Sequence, residues 1–341
     1  MAVSGFVLLD KAPGETSFKA LFPLKKVFST KRVGHAGTLD LRASGLIIAA
    51  TGRATRLLPY VEAKDKCYTF RLHLGYETDT LEWDGDVVAT DGAAGSGDAQ
   101  KERHCEECEA QEKRHCEECE TREKRHCEEC EARRGNLRQT LESVLPQFIG
   151  NINQVPPKYC AVKVDGHRAS DWAERGKEVE LAARPIHIAS LKIVGEGGAT
   201  EGCTGEAFAT FDLECECSKG TYIRALGRDI AHALGTFGCV SKIRRHRIGH
   251  VTLERSVTAA ALTTANLVPV NEVLEFPVVQ LNDEQMAAIR NGNWIPWRTP
   301  IEGLGDEPLV FAANKDGEVL SFCRYEPGRI WPKVFLAEDQ E

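Results

Sequence analysis

Asp40 and His35 stand five residues apart in Gly34-His35-Ala36-Gly37-Thr38-Leu39-Asp40-Leu41-Arg42-Ala43-Ser44-Gly45, a stretch offering one carboxylate and one imidazole for acid, base or nucleophilic work. Gly34, Gly37 and Gly45 allow the main chain a positive φ or a close approach to a ligand. A loop Asp is more often a turn or capping residue than a catalyst, so its setting must decide. The apolar run Leu46-Ile47-Ile48-Ala49-Ala50 follows directly and predicts a buried strand that holds the loop firmly. Two basic groups could flank a cleft around it or form ordinary solvated faces: Lys19, Lys25, Lys26, Lys31 and Arg32 before the loop, and Lys242, Arg244, Arg245 and Arg247 far along the chain.

Other elements must position these residues. Phe6-Val7-Leu8-Leu9 predicts a short buried strand, and Asp10 to Ser17 a turn whose Thr16 or Ser17 caps a helix over 18–28 that Pro23 divides. A helix is expected over 52–60, and a half-buried strand over 66–75 carries Tyr68, by itself an ordinary core aromatic. A helix over 137–148 comes next, then a strand over 207–217 ending in Ser218-Lys219-Gly220-Thr221-Tyr222-Ile223-Arg224 and a helix over 225–234. Tyr222 and Arg224 thus sit at a strand-to-helix junction, where site residues collect. A buried guanidinium demands a planar acceptor, and a carboxylate such as Asp40 would fit. Ile243 reads as core. The last 70 or so residues, with strands near 278–281, 308–313 and 318–323 and a helix over 283–290, predict a compact β-rich module.

At 341 residues and 42% hydrophobic, the chain suits one large domain plus a smaller one. No run reaches 18 apolar residues and the start lacks a signal peptide's basic and apolar regions, so a cytoplasmic protein without membrane association is expected. Six of its thirteen cysteines fall in three tandem 11-residue units over 101–133, KERHCEECEAQ, EKRHCEECETR and EKRHCEECEAR. Residues 101–134 hold 9 basic and 12 acidic residues, so three of the eight net negative charges belong to the tract. As a helix, 11 residues return to within about 20° of the starting direction, giving a cysteine stripe laced with pairs such as Glu109 to Lys113. Each unit offers one His and two Cys, good zinc ligand types. The next unit lies roughly 16 Å away along a straight helix, so a fourth ligand would need a bend, a second chain or water. Zinc on the repeats is possible; an inert surface insertion over 98–134 is favoured.

The motifs resemble those of the TruB-type tRNA pseudouridine synthases. G-H-A-G-T-L-D with A-S-G resembles the active-site motif, whose Asp is the catalytic carboxylate, which implies Asp40 as nucleophile. Asp10-Lys11-Ala12-Pro13-Gly14 resembles the first motif with its proline displaced by one, and implies Lys11 as a substrate-binding residue. Gln154-Val155-Pro156-Pro157-Lys158-Tyr159-Cys160-Ala161 is similar to the segment that grips the RNA hairpin, with Cys160 for Ser. S-K-G-T-Y-I-R matches without a change, and Ile243-Arg244-Arg245 resembles the family's L-R-R. Leu41-Arg42 replaces the usual Pro-Leu. The resemblance implies an α/β (α+β, mixed-sheet) catalytic domain of the pseudouridine-synthase type over 1–97 and 135–270, interrupted by the insertion, and a PUA-like β domain over 271–341. It implies isomerisation of uridine 55 in the TΨC stem-loop of tRNA on a flipped-out base, without a cofactor, by a monomer. Asp40, Tyr68 and Arg224 would be catalytic, and His35, Tyr68, Tyr222, Ile243 and Lys11 would bind substrate. The alternative is a non-catalytic tRNA-binding or RNA-folding protein on the same scaffold.

Deleting residues 98–134 should leave folding and any RNA modification nearly intact, because surface-loop length carries only a small closure entropy. Elemental analysis of the intact protein supplies the opposite test: zinc at one or more per chain, with activity lost on deletion, would mark the repeats as functional.

Overall fold

The computed structural model describes residues 4–91, 136–201 and 207–337; the 11-residue repeats lie outside them. In chain order the elements used below are β1 (Gly5–Lys11), α1 (Phe22–Val27), β2 (Val33–Ala36), β3 (Ser44–Thr51), α2 (Leu58–Glu62) and β4 (Lys66–Leu74). They continue as β5 (Gly150–Gln154), β6 (Arg184–Glu201), β7 (Ala207–Cys217), α3 (Ile223–Ala233) and β8 (Gly238–Ile248). The last are β9 (Val278–Gln280), α4 (Asp283–Arg290), β10 (Leu309–Ala313), β11 (Val319–Glu326) and β12 (Arg329–Phe335). Contacts group the chain into two compact units: Met1–Phe70 with Cys215–Gly220 and Lys242–Glu341, and Arg71–Glu214 with Thr221–Ser241.

The first unit is built on β1 and β3, antiparallel from Gly5 opposite Thr51 to Lys11 opposite Gly45. Both are almost wholly buried, as their unbroken apolar runs require. β2 adds antiparallel to the far half of β3, with His35 opposite Ala49. β8 runs parallel to the near half, pairing Arg244 with Ser44 and Arg245 with Gly45. This sheet is therefore mixed, as expected. Pro23 does not interrupt a long helix: a 3-10 turn, Lys19–Leu21, leads into α1, where Pro23 sits in the first turn and its missing N–H is harmless.

The C-terminal strands form a five-stranded sheet: β9 parallel to β10, then β11 and β12 antiparallel, with Ile295–Pro296 at the end. This is the β-rich, PUA-like module expected from the sequence, with β12 as a strand that the pattern did not reveal. One face packs Val310, Cys323 and Ile330 against Met286 and Ile289 of α4. Phe311, Phe322 and Val334 on the other join Phe6, Leu8 and Leu57 in one apolar cluster. Tyr60 of α2 meets Phe322 with ring centroids 5.0 Å apart, and Lys333 Nζ donates to its hydroxyl at 2.9 Å.

In the second unit β6 lies between β7 and β5, pairing Arg184 with Gln154 and Ile188 with Gly150. Asp165 and Gly166, at φ 51° and 83°, close a tight hairpin between Lys163–Val164 and His167–Arg168. α3 buries Ile223, Leu226 and Ile230. Its Gly227 is needed where the helix crosses Val240, whose Cγ1 would overlap any Cβ there. Arg71 holds Asp212 through two hydrogen bonds of 2.7 and 2.8 Å.

Gly45 has a φ of 102°, and a Cβ there would lie 2.7 Å from the Arg245 amide nitrogen and closer still to its carbonyl oxygen. Gly14 has a φ of 82° but would meet nothing within 4 Å. Gly45→Ala should therefore destabilise the fold by more than about 2 kcal/mol in urea denaturation, and Gly14→Ala by about 1 kcal/mol.

Candidate active site

The Asp40 loop is clamped along its length. Ser17 is buried, its Oγ donating to the Leu39 carbonyl at 3.1 Å and accepting from the Leu39 amide at 3.0 Å. Gly14 N donates to Leu41 O at 2.8 Å, and Ala43 N to Asp40 O at 3.2 Å. Lys11 is 1% exposed and its ammonium donates to the carbonyls of Ala12, Leu41 and Ala43 at 3.0, 3.2 and 2.5 Å. Lys11 thus holds the loop's main chain. Of the two N-cap candidates, Thr16 accepts from Lys19 N at 3.2 Å, while Ser17 serves the loop.

Beneath the loop lies Arg245, also 1% exposed. Its Nε donates to Leu46 O at 2.7 Å and its Nη2 to Gly37 O at 3.0 Å, so one guanidinium grips both ends of the turn that carries Asp40. Tyr68, buried on β4, has its ring centroid 6.0 Å from the same guanidinium. Burial raises the Tyr68 pKa above its ordinary value of 10 and outweighs Arg245, which lowers it, so the phenol stays protonated. His35 is half-buried, its Nδ1 has no hydrogen-bond partner, and its pKa is depressed by burial and then by Arg245. It is a neutral imidazole near pH 7. Lys66 is pushed down to about 8, by burial first and Arg245 next, while its Nζ donates to Glu62 O and Lys64 O. Ile243 is buried on β8, two residues before Arg245 and on the same side of the strand.

Asp40, His35, Tyr68, Lys11 and Ile243 thus belong to one unit. Tyr222 and Arg224 lie in the other, at the start of α3. Arg224 is 6% exposed; its Nη1 donates to Thr80 O at 2.9 Å, its Nη2 to Tyr159 O at 2.8 Å, and its Nε stands 4.0 Å from Glu82. Gln154 fixes Tyr222 at both main-chain polar atoms, accepting from its amide at 2.9 Å and donating to its carbonyl at 3.1 Å. The Tyr222 phenol is pushed up to about 12, by burial first and then by Cys160.

Three positioning residues escaped the sequence reading. Arg245 counted as part of a basic group and of the L-R-R-like motif but was given no role, although the spacing Ile243, Arg245 along a strand puts both on the buried side. Ser17 looked like a helix cap, and Gln154 like part of a motif. The second basic group is mainly structural: beside the buried Arg245, Arg244 pairs with Asp10 at 2.9 Å and Arg247 binds Glu216. Lys242 alone of the four is exposed. Among the described residues no group of three or more His, Cys, Asp or Glu could hold a metal ion, and no helix is long and apolar enough to cross a membrane.

Residues 25–116 and 111–223 match the sequence model of the TruB family pseudouridylate synthase (N terminal domain). The chain is 33% identical over 350 residues to the tRNA pseudouridine synthase B of Caulobacter vibrioides, covering 98% of this chain and 96% of the relative. It is 29% identical over 318 residues to that of Borrelia garinii subsp. bavariensis, covering 93% and 94%. A chain of an H/ACA RNP bound to a substrate RNA containing 2'-deoxyuridine shares the fold at a TM-score of 0.61, 17% identity and 98% and 85% coverage. One from the archaeal box H/ACA sRNP Nop10-Cbf5 complex does so at 0.59 and 18%, with 98% and 85% coverage.

The folded His35 pKa lies below its ordinary 6.5, so on acidification the unfolded chain takes up the proton first. His35 therefore contributes stability above pH 6.5 that is lost as pH falls toward the folded pKa. Denaturation at a series of pH values should show a steeper acid loss in wild type than in His35→Asn. Arg245→Met should raise the His35 pKa, measurable by NMR, and destabilise the unit by about 3 kcal/mol by leaving two carbonyls without their donor.

Proposed function

Because the chain belongs to the TruB family of pseudouridylate synthases, and is on that ground a tRNA-modifying isomerase, we propose that its target is uridine 55 of the TΨC arm and that Asp40 is the nucleophile. The observation that carries this reading is the Asp40 loop, held by Ser17, Lys11 and Arg245 beside a protonated, buried Tyr68. A carboxylate carried on a loop held this firmly loses little entropy on meeting its substrate.

The isomerisation breaks the bond from N1 to C1' and forms one from C5 to C1'; the proton lost at C5 is matched by one gained at N1. It is redox-neutral and calls for no cofactor. A uridine within the folded T-loop must first be extruded. His35, neutral and half-buried on β2, fits the wedge that takes its place in the stack. Tyr68 stacks on the flipped base, and its retained proton suits it to donate rather than to accept. Asp40 attacks C1' or C6, the glycosidic bond opens, and the ring turns before it rejoins. Ile243 closes the apolar side of the pocket. Arg224 and Tyr222 enter on the match to the family's motif alone, as cation for the carboxylate and support for the base.

Incubation with an unmodified tRNA transcript, followed by base-specific chemical mapping, should reveal one pseudouridine at position 55. Its absence would remove the assignment. Asp40→Asn should lower turnover at least about a thousandfold, or roughly 4 kcal/mol in transition-state stabilisation, with tRNA affinity little changed. Turnover by this variant above about a thousandth of wild type would show that Asp40 is not the nucleophile.

A further inference from the structure

Phe18 and Phe22 are 57% and 50% exposed. Packing does not require this, since the same short helical stretch buries Ala20, Leu21, Leu24 and Phe28 on its inner side. The two rings meet edge to face with centroids 5.4 Å apart, and Lys25 Nζ lies 5.4 and 5.2 Å from them. Lys19, Lys26, Lys31 and Arg32 are exposed in the same stretch, and Glu15 is the one acidic residue between positions 11 and 36. The outward face is thus aromatic at its centre and cationic around it.

It also adjoins the candidate active site. Ser17, next to Phe18, exchanges two hydrogen bonds with Leu39, next to Asp40. Gly14, at the head of the same turn, donates to Leu41 O. A ligand spanning both would run along one continuous surface of the first unit.

We propose that Phe18, Phe22 and Lys25 form a stacking platform for an unstacked base of the tRNA other than the one isomerised, with Lys19, Lys26, Lys31 and Arg32 meeting the flanking phosphates. This rests on the reading of the chain as a tRNA pseudouridine synthase. Single-stranded RNA presents flat π faces along an anionic backbone, and both halves of that chemistry have a counterpart here. Lys25 over the rings adds a cation that attracts their electron-rich faces and a nearby phosphate alike. An acidic protein would engage the lysines and leave the two rings in water.

The test uses the full chain and full-length unmodified tRNA, with binding measured by fluorescence anisotropy and turnover under steady-state conditions. Phe18→Leu/Phe22→Leu keeps the apolar bulk and loses the stacking face; it should raise Kd and KM about tenfold and leave kcat within about twofold, as expected for one or two stacked bases. Its salt dependence should match wild type. Lys19→Gln/Lys26→Gln should flatten the slope of log K against log salt by about 1.5, since each phosphate contact contributes about 0.7 to 0.9. Thermal melts that superimpose on wild type exclude loss of folding, and the lysine pair provides a readout independent of the rings. Kd and KM within about twofold of wild type in the Leu pair would overturn the platform. If the wild-type protein makes no pseudouridine in tRNA, the underlying reading fails, while the anisotropy arm still decides whether RNA binds at these rings.

Discussion

A buried guanidinium governs the first unit. Arg245 carries a permanent charge at 1% exposure, a position that is costly unless its donors are satisfied. It satisfies them on the carbonyls of Gly37 and Leu46, at opposite ends of the Asp40 loop. The loop conformation and the burial of the charge therefore depend on one another. Gly45 is obligatory for the same reason: its φ of 102° lets β3 pass close against the Arg245 main chain, where any side chain would overlap it. The charge adds to what burial does to three neighbours: burial first and Arg245 next keep His35 neutral and push Lys66 down to about 8, while Arg245 moderates the rise that burial imposes on Tyr68.

The second unit uses the same device. Arg224 also lies buried, with its two terminal nitrogens on main-chain carbonyls, those of Thr80 and Tyr159. Such bonds fix the position of the guanidinium within the fold. Lys11 follows the same rule, with its ammonium on three carbonyls of the Asp40 loop and its approach. Cations that look in sequence like phosphate ligands are thus partly internal struts. Surface charge suited to RNA falls instead to Lys19, Lys26, Lys31 and Arg32, around two exposed phenylalanines.

The C-terminal module shows how burial couples distant parts of a chain. Phe311, Phe322 and Val334 share a cluster with Phe6 and Leu8 at the other end of the sequence, and Tyr60 packs against Phe322. A small β-sheet with an apolar face gains stability by covering that face against another element.

Much of this was legible in the residues themselves. The apolar runs at Phe6 to Leu9 and Leu46 to Ala50 could only be buried strands, because continuous hydrophobicity is tolerable only where both faces are covered. The family motifs around Asp40, Tyr68 and Tyr222 to Arg224 pointed to the candidate site without any coordinates, since chemistry constrains residue types at fixed spacing. The partners of the cations were not legible. A lysine or arginine carries the same symbol whether it faces a phosphate or a carbonyl, and only the packing of β8 beside β3 turned Arg245 inward beneath the loop. Likewise Ser17 could cap its own helix or reach a residue 22 positions away, and the tertiary structure chose Leu39. Sequence determined which segments must be buried and which side chains could react; the fold decided which polar groups meet, because hydrogen bonds between distant residues depend on a geometry that exists only once the segments are packed.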